Sequence, residues 1–148
     1  MSQMTARQAF DSRTTAARSE TRSLETTLSE LSSRYAKLNT VRAALKARRQ
    51  RDDFFSVKMF SDPAWDMLLE LYAASLADRR LTLSRLVERS TVPMTTALRW
   101  ITTLQAEGLI NRQDDPFDKR RYFLLLSAKG LSVMDNFYEN LQPGTKLL

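Results

Sequence analysis

The chain has 148 residues, of which 43% are hydrophobic and 27% are charged, and this suits one compact domain with an appendage. Neither histidine nor cysteine occurs, which excludes disulfides, thiolate nucleophiles, the usual zinc sites and Ser-His-Asp arrangements. Glycine and proline number only 3 and 4, so we expect an ordered, mainly helical chain. No catalytic, metal or cofactor site can be named, and we expect no enzyme.

Basic side chains exceed acidic ones. The 23 Lys and Arg residues against 17 Asp and Glu give a net charge of +6, which indicates a polyanionic partner such as nucleic acid or an anionic membrane surface. Residues 1–61 carry the whole excess, with 12 basic and 6 acidic side chains against 11 of each in residues 62–148. Neither a membrane span nor a signal sequence is visible, so we expect a cytoplasmic protein without membrane association.

The N-terminal part predicts a tail and a long helix. Residues 1–18 are small and polar and predict a flexible or partly helical tail. Apolar residues then recur at steps of four and three, with Arg42 at one such position, and predict a heptad-patterned helix within residues 19–55. The stripe, which we assign to dimerisation, consists of Leu24, Leu28, Leu31, Tyr35, Leu38 and Leu45.

Two interpretations of this stripe remain open. It pairs with its copy in a second chain, or it packs on the globular part of its own chain. We favour the homodimer because a helix of this length would extend beyond the remaining domain. Near its end the helix carries basic residues that either follow a phosphate backbone or form a solvated face: Arg42, Lys46, Arg48, Arg49 and Arg51.

Residues 62–141 predict a compact domain. Asp62 and Pro63 indicate the cap and first turn of a helix that runs to about Ala77. A short extended piece at 81–82 and a short helix follow, and the sequence Thr91-Val92-Pro93 ends that helix. The next helix runs from Pro93 or Met94 to Glu107, with Gly108 at its left-handed C-cap, which gives a helix-turn-helix layout.

A β-hairpin and a last helix complete this domain. The hairpin comprises residues 109–112 and 121–126, and Ser127 caps the final helix. The apolar run 122–126 indicates that both faces of the hairpin are covered, by the long helix or by a partner. We therefore predict a mainly α fold with a small β-hairpin wing, a winged helix-turn-helix, plus a long N-terminal coiled-coil-like helix. Residues 142–148 are expected to be a C-terminal tail.

The second helix of the helix-turn-helix presents a candidate reading face. A helical wheel directs Met94, Ala97, Leu98, Ile101 and Leu104 inward. Threonine hydroxyls can bind phosphates or base edges, threonine methyls can contact thymine, and arginine can bind guanine in bidentate fashion. An ordinary solvated surface is the alternative. The opposite face carries Thr95, Arg99, Thr102 and Ala106, flanked by Thr96 and Thr103.

The hairpin tip alternates acids with bases. Asp118 can hold a neighbouring arginine by a charge-assisted bond, while another arginine reaches a minor groove or a phosphate. A charged, solvated turn with weak surface ion pairs is the alternative. The residues concerned are Asp114, Asp115, Asp118, Lys119, Arg120 and Arg121.

Residues 92–130 resemble the recognition helix, wing and following helix start of MarR-type winged-helix transcription regulators, and the resemblance covers about residues 62–141 in all. The resemblance implies a recognition helix in the major groove and homodimers on pseudo-palindromic duplex DNA. By the same resemblance Arg120 enters the minor groove and Asp118 braces the wing. The matching residues are Thr95-Thr96, Arg99, Leu104, Gly108-Leu109, Arg112, Asp118-Lys119-Arg120 and Leu126-Ser127 with Gly130.

We therefore predict a homodimeric, sequence-selective transcription regulator that binds double-stranded DNA at the bacterial nucleoid. A protein-interaction module and a non-specific architectural DNA-binding protein are the alternatives. Family members usually dimerise through helices at both ends, so here the N-terminal helix must supply the missing C-terminal pair. No residue identifies an effector pocket. The predicted DNA-binding residues are Thr95, Thr96, Arg99, Thr102, Thr103, Arg112, Asp118, Lys119, Arg120 and Arg121.

Overall fold

The computed structural model describes residues 6–55 and 60–141. The predicted tail at 142–148 and the first five residues of the predicted N-terminal tail lie outside these ranges. The predicted fold class, a winged helix-turn-helix with a long N-terminal helix, is confirmed. The elements are α1 (Ala6–Phe54), α2 (Pro63–Leu76), β1 (Leu81–Thr82), α3 (Leu83–Ser90), α4 (Met94–Ala106), β2 (Ile110–Asp114), β3 (Tyr122–Leu126) and α5 (Ala128–Glu139).

The chain divides into two compact units at the Ala36–Lys37 bond. In the first unit, α1 already begins at Ala6, well before the predicted start at Ser19, because neither proline nor glycine interrupts it. Threonine hydroxyls along this unit donate to the carbonyl four residues earlier, as Thr15 does to Asp11 at 2.8 Å. None of the helices over the described residues is long and apolar enough to cross a membrane.

The residues of the predicted heptad stripe differ in burial. Leu24, Leu28, Leu31 and Tyr35, in the first unit, are more than half exposed. Leu38 and Leu45, in the second unit, are buried in that unit's own core together with Val41 and Ala44. For Leu38 and Leu45 the dimerisation prediction is therefore corrected, because their side chains already pack within the chain.

Helix α2 is the central helix of the second unit. Asp62 caps it as predicted and accepts the backbone N–H of Trp65 at 3.3 Å, and Pro63 occupies the first turn, where no N–H is needed. Met67, Leu69, Leu71 and Tyr72 are buried on both sides of the helix. A helix that is buried on several faces positions everything packed against it. The first helix of the helix-turn-helix, α3, is one of these neighbours.

Helices α3 and α4 form the predicted helix-turn-helix. Thr82 caps α3 by accepting the N–H of Arg85 at 3.4 Å. Thr91 ends α3 in the left-handed region, with φ 54°, and Pro93 then starts α4 without a side-chain cap. The buried residues Leu86, Ala97 and Ile101 hold the two helices to the core.

The three strands form one antiparallel sheet in the order β1-β3-β2. Strand β3 lies at the centre and carries the unbroken apolar run from Tyr122 to Leu126. Leu124 and Leu126 are buried in the core, whereas Phe123 lies beneath the guanidinium of Arg80 at 4.6 Å from its ring centroid. An arginine therefore covers Phe123, where the sequence had left open the long helix or a partner.

Two glycines fix the connections around the wing. Gly108 ends α4 with φ +70°, the left-handed conformation predicted for this position. At Gly130 an added Cβ would lie 2.1 Å from the carbonyl oxygen of Leu109, so only glycine permits this approach of α5 to β2. Ser127 caps α5 by accepting the N–H of Gly130 at 2.9 Å and donates to the carbonyl of Gly108 at 2.6 Å. The start of α5 is thereby tied to the end of α4.

Candidate nucleic-acid interface

Helix α4 is rotated relative to the wheel drawn from the sequence. Ala97, Ile101 and Leu104 are buried as predicted. Met94 and Leu98, which were also assigned to the core, are instead 44% and 41% exposed. Because the buried arc centres on Ala97 and Leu104, the outward face gains two apolar side chains.

The same rotation changes which threonines are exposed on α4. Thr95, Thr102 and Thr103 are exposed, whereas Thr96 is half-buried. Thr102 and Thr103 donate their hydroxyls to the carbonyls of Leu98 and Arg99, at 2.9 and 3.1 Å. Their hydrogen-bonding donors are thus occupied within the helix, and their methyl groups remain as outward apolar surface.

Arg99 supplies the charge of this face. Its side chain is exposed and forms no ion pair with another residue in the described part of the chain. We name the exposed set on α4 the α4 face. Apart from one guanidinium it is small, uncharged and largely apolar, and it consists of Met94, Thr95, Leu98, Arg99, Thr102 and Thr103.

The turn of the wing depends on a carboxylate that the sequence analysis did not single out. Asp115 is 4% exposed, and its Oδ2 receives Nη2 and Nε of Arg121 at 2.6 and 2.8 Å. Its Oδ1 accepts the backbone N–H of Phe117 at 2.9 Å. The N–H of Phe117 and the guanidinium of Arg121 both lower the pKa of the Asp115 carboxyl. The Asp115-Pro116 pair is a turn signal that could have identified this residue.

Two of the predicted DNA-binding arginines have partners within the wing. Arg112 donates to Asp114 Oδ1 at 3.0 Å, and its guanidinium lies 4.0 Å from the ring centroid of Tyr122. Arg121 is held by Asp115, and its guanidinium also lies 5.8 Å from the ring centroid of Phe123. These contacts give Arg112 and Arg121 a structural role in the wing.

Asp118 braces the tip through the backbone. Its Oδ1 accepts the N–H of Arg120 at 3.0 Å, and its carbonyl accepts the N–H of Arg121 at 2.9 Å. The side chain of Arg120 is 96% exposed, with Nε 3.8 Å from Asp118 Oδ1. Lys119 is also exposed. The arginine bound by a buried carboxylate is therefore Arg121, whose partner is Asp115. Arg120 projects outward.

Two basic residues at the end of α1, Arg48 and Arg49, pair with acidic residues of α2, which neither interpretation of the sequence predicts. Arg48 Nε lies 2.5 Å from Asp66 Oδ1, so this cation is paired with α2. Glu70, only 1% exposed, accepts Arg49 through Oε1 and Arg89 through Oε2, the latter at 2.9 Å. One buried carboxylate thus links α1, α2 and α3. The sequence does not reveal this link, because the two arginines lie far from Glu70 along the chain.

A cavity of about 470 Å³ adjoins this bridge within the second unit. Its apolar lining comes from α1, α2 and β1. Arg42 and Lys46, predicted to face phosphate or solvent, are exposed at its edge. Basic side chains dominate its charged lining, which comprises Arg42, Lys46, Arg49, Arg79 and Arg89 against Asp53 and Glu70.

Part of the second unit matches a known protein family. The model of the MarR family matches residues 61–122, from just before α2 to the first residue of β3. No match to a curated protein was found. Several solved structures are similar to this chain.

The transcriptional regulator PA4135 shares 17% identity, with 76% of this chain and 73% of that chain covered and a TM-score of 0.46. MepR of Staphylococcus aureus in complex with DNA shares 22% identity over 64% of this chain and 73% of that chain, with a TM-score of 0.47. MepR in its DNA-binding conformation shares 20% identity over 78% of this chain and 74% of that chain, with a TM-score of 0.48. The family match confirms, over residues 61–122, that this chain resembles the MarR-type winged helix-turn-helix regulators.

Proposed function

We propose that this protein is a sequence-selective transcription regulator that binds double-stranded DNA as a homodimer in the bacterial cytoplasm. The observation that carries the proposal is the pairing of two exposed surfaces on one helix-turn-helix scaffold. The α4 face carries one unpaired guanidinium among small side chains, and the adjoining wing ends in the exposed Arg120. A helix with such a face fits the major groove, and a narrow cationic tip fits the minor groove.

In this proposal the α4 face reads base edges. Arg99 donates to guanine in bidentate fashion, and the methyl and methylene groups of Leu98 and Thr102 contact thymine methyls. The start of α4 supports this placement, because no side chain caps its first N–H groups and these remain able to meet a phosphate. Thr95 and Thr96 lie in this first turn, beside that backbone.

The wing contributes mainly affinity. Lys119 and Arg120 approach the sugar-phosphate backbone and minor groove, whereas Arg112 and Arg121 keep the hairpin rigid. Contacts of this kind release counterions, so binding weakens steeply as salt is added. The net charge of +6 favours the encounter with DNA in the same way.

The exposed part of the α1 stripe is the proposed dimer contact. Leu24, Leu28, Leu31 and Tyr35 recur at steps of four and three and are 54 to 66% exposed, as expected for a seam that awaits a second copy. A homodimer presents two α4 helices to a two-fold symmetric site. The dimer contact set is thus narrower than the full stripe predicted from the sequence.

The test is fluorescence-anisotropy binding to random duplex and to a duplex pool enriched by repeated selection, titrated from low to physiological salt. We expect steep salt dependence and enrichment of a two-fold symmetric motif, whose half-site spacing reports the dimer geometry. Salt-steep binding without enrichment indicates an architectural protein instead. Absence of binding to any duplex at low salt excludes a DNA-binding role and favours an interaction module.

A further inference from the structure

The tip of the wing carries an unexpectedly exposed aromatic residue. Phe117 is 97% exposed, more than any other large apolar side chain in the described ranges. Solvated turn tips are ordinarily built from polar residues, glycine and proline, and a fully exposed phenyl ring loses the favourable free energy that burial would provide. A partner that covers the ring would recover this free energy.

The turn holds Phe117 outward by hydrogen bonds rather than leaving it free. The buried carboxylate of Asp115 accepts its backbone N–H at 2.9 Å, and Pro116 restricts the preceding φ. The ends of the turn are closed by the bond from Asp115 N–H to the carbonyl of Arg121 at 3.0 Å. Because these bonds restrain the turn, the backbone of Phe117 is held at the tip and its side chain projects from there.

Nearby apolar surface is already covered. Guanidinium groups lie over the two aromatic rings at the start of β3: Arg112 over Tyr122 at 4.0 Å, and Arg80 over Phe123 at 4.6 Å. Phe117 therefore has no uncovered aromatic neighbour in β3 on which to fold back. Its surroundings at the tip are the charged side chains of Asp118, Lys119 and Arg120.

A single aromatic ring beside two exposed cations matches the chemistry of DNA rather than that of a protein partner. Protein interfaces centre on broader apolar patches with charged residues depleted from the middle. Proteins that bind the minor groove combine arginine or lysine with an apolar wedge that enters between base pairs. The arrangement of Phe117 next to Lys119 and the 96% exposed Arg120 has these two components.

We propose that Phe117 is such a wedge: it enters the minor groove beside Arg120, partly unstacks one base step and bends the duplex. The inference rests on the proposed DNA-binding function and adds distortion of the DNA to it. Pyrimidine–purine steps unstack most easily, so the wing selects a TA or CA/TG step that no side chain reads by hydrogen bonds. Asp115 is then a positioning residue, which acts by holding the backbone of Phe117.

Unstacking and bending are measured separately on the duplex obtained by selection. 2-Aminopurine, whose fluorescence rises when it is unstacked, replaces adenine at successive positions in the flanks of the site. Energy transfer between dyes at the two ends reports the bend. With the full chain at saturation we expect a fluorescence rise at one step in each half-site and a bend of roughly 20–90°, the range for minor-groove wedges.

Three variants isolate the wedge. Phe117→Ala should abolish the 2-aminopurine rise, reduce the bend below roughly 20°, the lower limit for such wedges, and remove the preference for a TA or CA/TG step at the wing. The preference for the bases read by the α4 face and the salt slope should stay unchanged. Phe117→Leu, which keeps an apolar wedge, should retain part of both signals. Arg120→Ala is the matched control, since it should weaken binding to all duplexes yet preserve the unstacking at saturation. Because Phe117 is fully exposed, folding of its variants is not expected to change.

The outcomes separate this inference from the function on which it rests. Sequence-selective binding by the wild-type chain without any 2-aminopurine rise overturns the wedge and leaves the regulator standing. Equal signals from wild type and Phe117→Ala also overturn it, because the distortion then arises from another part of the protein. Failure of the wild-type chain to bind any duplex overturns the function itself.

Discussion

Asp115 and Arg121 form a buried-to-exposed ion pair, in which a carboxylate side chain only 2% exposed holds a guanidinium that is 54% exposed. The pair joins the first residue after β2 to the last residue before β3. It fixes the turn between the strands and so determines where the wing tip lies. A tip that is preorganised in this way loses little conformational entropy when it binds.

Because of this pair, the stability of the wing depends on pH. Because the folded-state pKa of Asp115 lies below its ordinary value of about 3.9, its contribution is present above that value and is lost as the pH falls through the lowered one. We expect wild type to exceed Asp115→Asn in free energy of unfolding by a constant amount between pH 5 and 8, and the gap to shrink below about pH 4. Urea denaturation of wild type and Asp115→Asn at a series of pH values measures the difference in free energy of unfolding and its decrease in acid. A gap that persists unchanged at pH 3 contradicts the assignment.

Glu70 should be a strong determinant of stability. Its substitution by Gln removes the charge that holds Arg49 and Arg89, and we expect a loss of about 1–3 kcal/mol in the free energy of unfolding. The matched control is Glu88→Gln, since Glu88 is 67% exposed and pairs with an equally exposed Arg85. For that variant the expected change is within about 0.5 kcal/mol. Equal effects of the two substitutions in chemical denaturation would show that the buried bridge stabilises the protein no more than the exposed pair does.

Tyr72 and Tyr138 should respond oppositely to loss of their hydroxyl groups. Tyr72 donates to Asp135 at 2.5 Å, whereas the buried hydroxyl of Tyr138 has no hydrogen-bond partner among the described residues. Burial raises the pKa of Tyr138 to about 12, in keeping with a hydroxyl removed from water. We expect Tyr72→Phe to cost about 1 kcal/mol and Tyr138→Phe to be neutral or stabilising. Thermal unfolding of the two variants, followed by circular dichroism, decides between these signs.

The exposed and buried parts of the α1 stripe should separate in mutagenesis. Leu28→Ala combined with Leu31→Ala should weaken self-association and leave the second unit intact, because both side chains are more than half exposed. Leu45→Ala, in contrast, should destabilise the second unit by about 2–5 kcal/mol, as for other buried leucines. Sedimentation equilibrium measures the first effect and denaturation the second. A monomeric wild-type chain at high concentration would refute the proposed seam.

Arg99 and Arg120 should contribute to DNA binding in distinguishable ways. Arg99→Ala should erode the preference for the selected site by about 1–3 kcal/mol, the usual value of a bidentate contact with a base. Arg120→Ala should lower the affinity for all duplexes and reduce the salt slope by about one. Anisotropy titrations on selected and random duplexes compare the two. Equal loss on every sequence from the Arg99 change would remove its role in reading bases.

Local chemistry made much of the fold predictable from the sequence. Caps and breakers act through neighbouring residues, so Asp62, Ser127 and Gly108 mark helix ends wherever the helices pack. The heptad steps likewise indicate a long helix, since they depend only on periodicity. The order of elements then suffices to predict a winged helix-turn-helix.

Tertiary packing decided the parts that the sequence did not reveal. A helical wheel gives the width of an apolar stripe but not its rotation, so it predicts Leu98 inside and Thr96 outside, whereas Leu98 is exposed and Thr96 is half-buried. A heptad stripe does not say whether its partner is the same chain, which is why Leu38 and Leu45 were grouped with the exposed leucines. The sequence does not distinguish Asp115 from the other charges at the tip, because its burial depends on how Arg121 packs over it.

If the exposed leucines of α1 pair two chains as proposed, DNA binding by the regulator depends on the concentration of the protein in the cell. If only the paired form presents two recognition helices to a symmetric site, occupancy of that site follows the concentration of pairs. Well below the pairing constant, that concentration grows with the square of the total amount of protein. Small changes in synthesis would then be amplified at the DNA without any change in the residues that touch it.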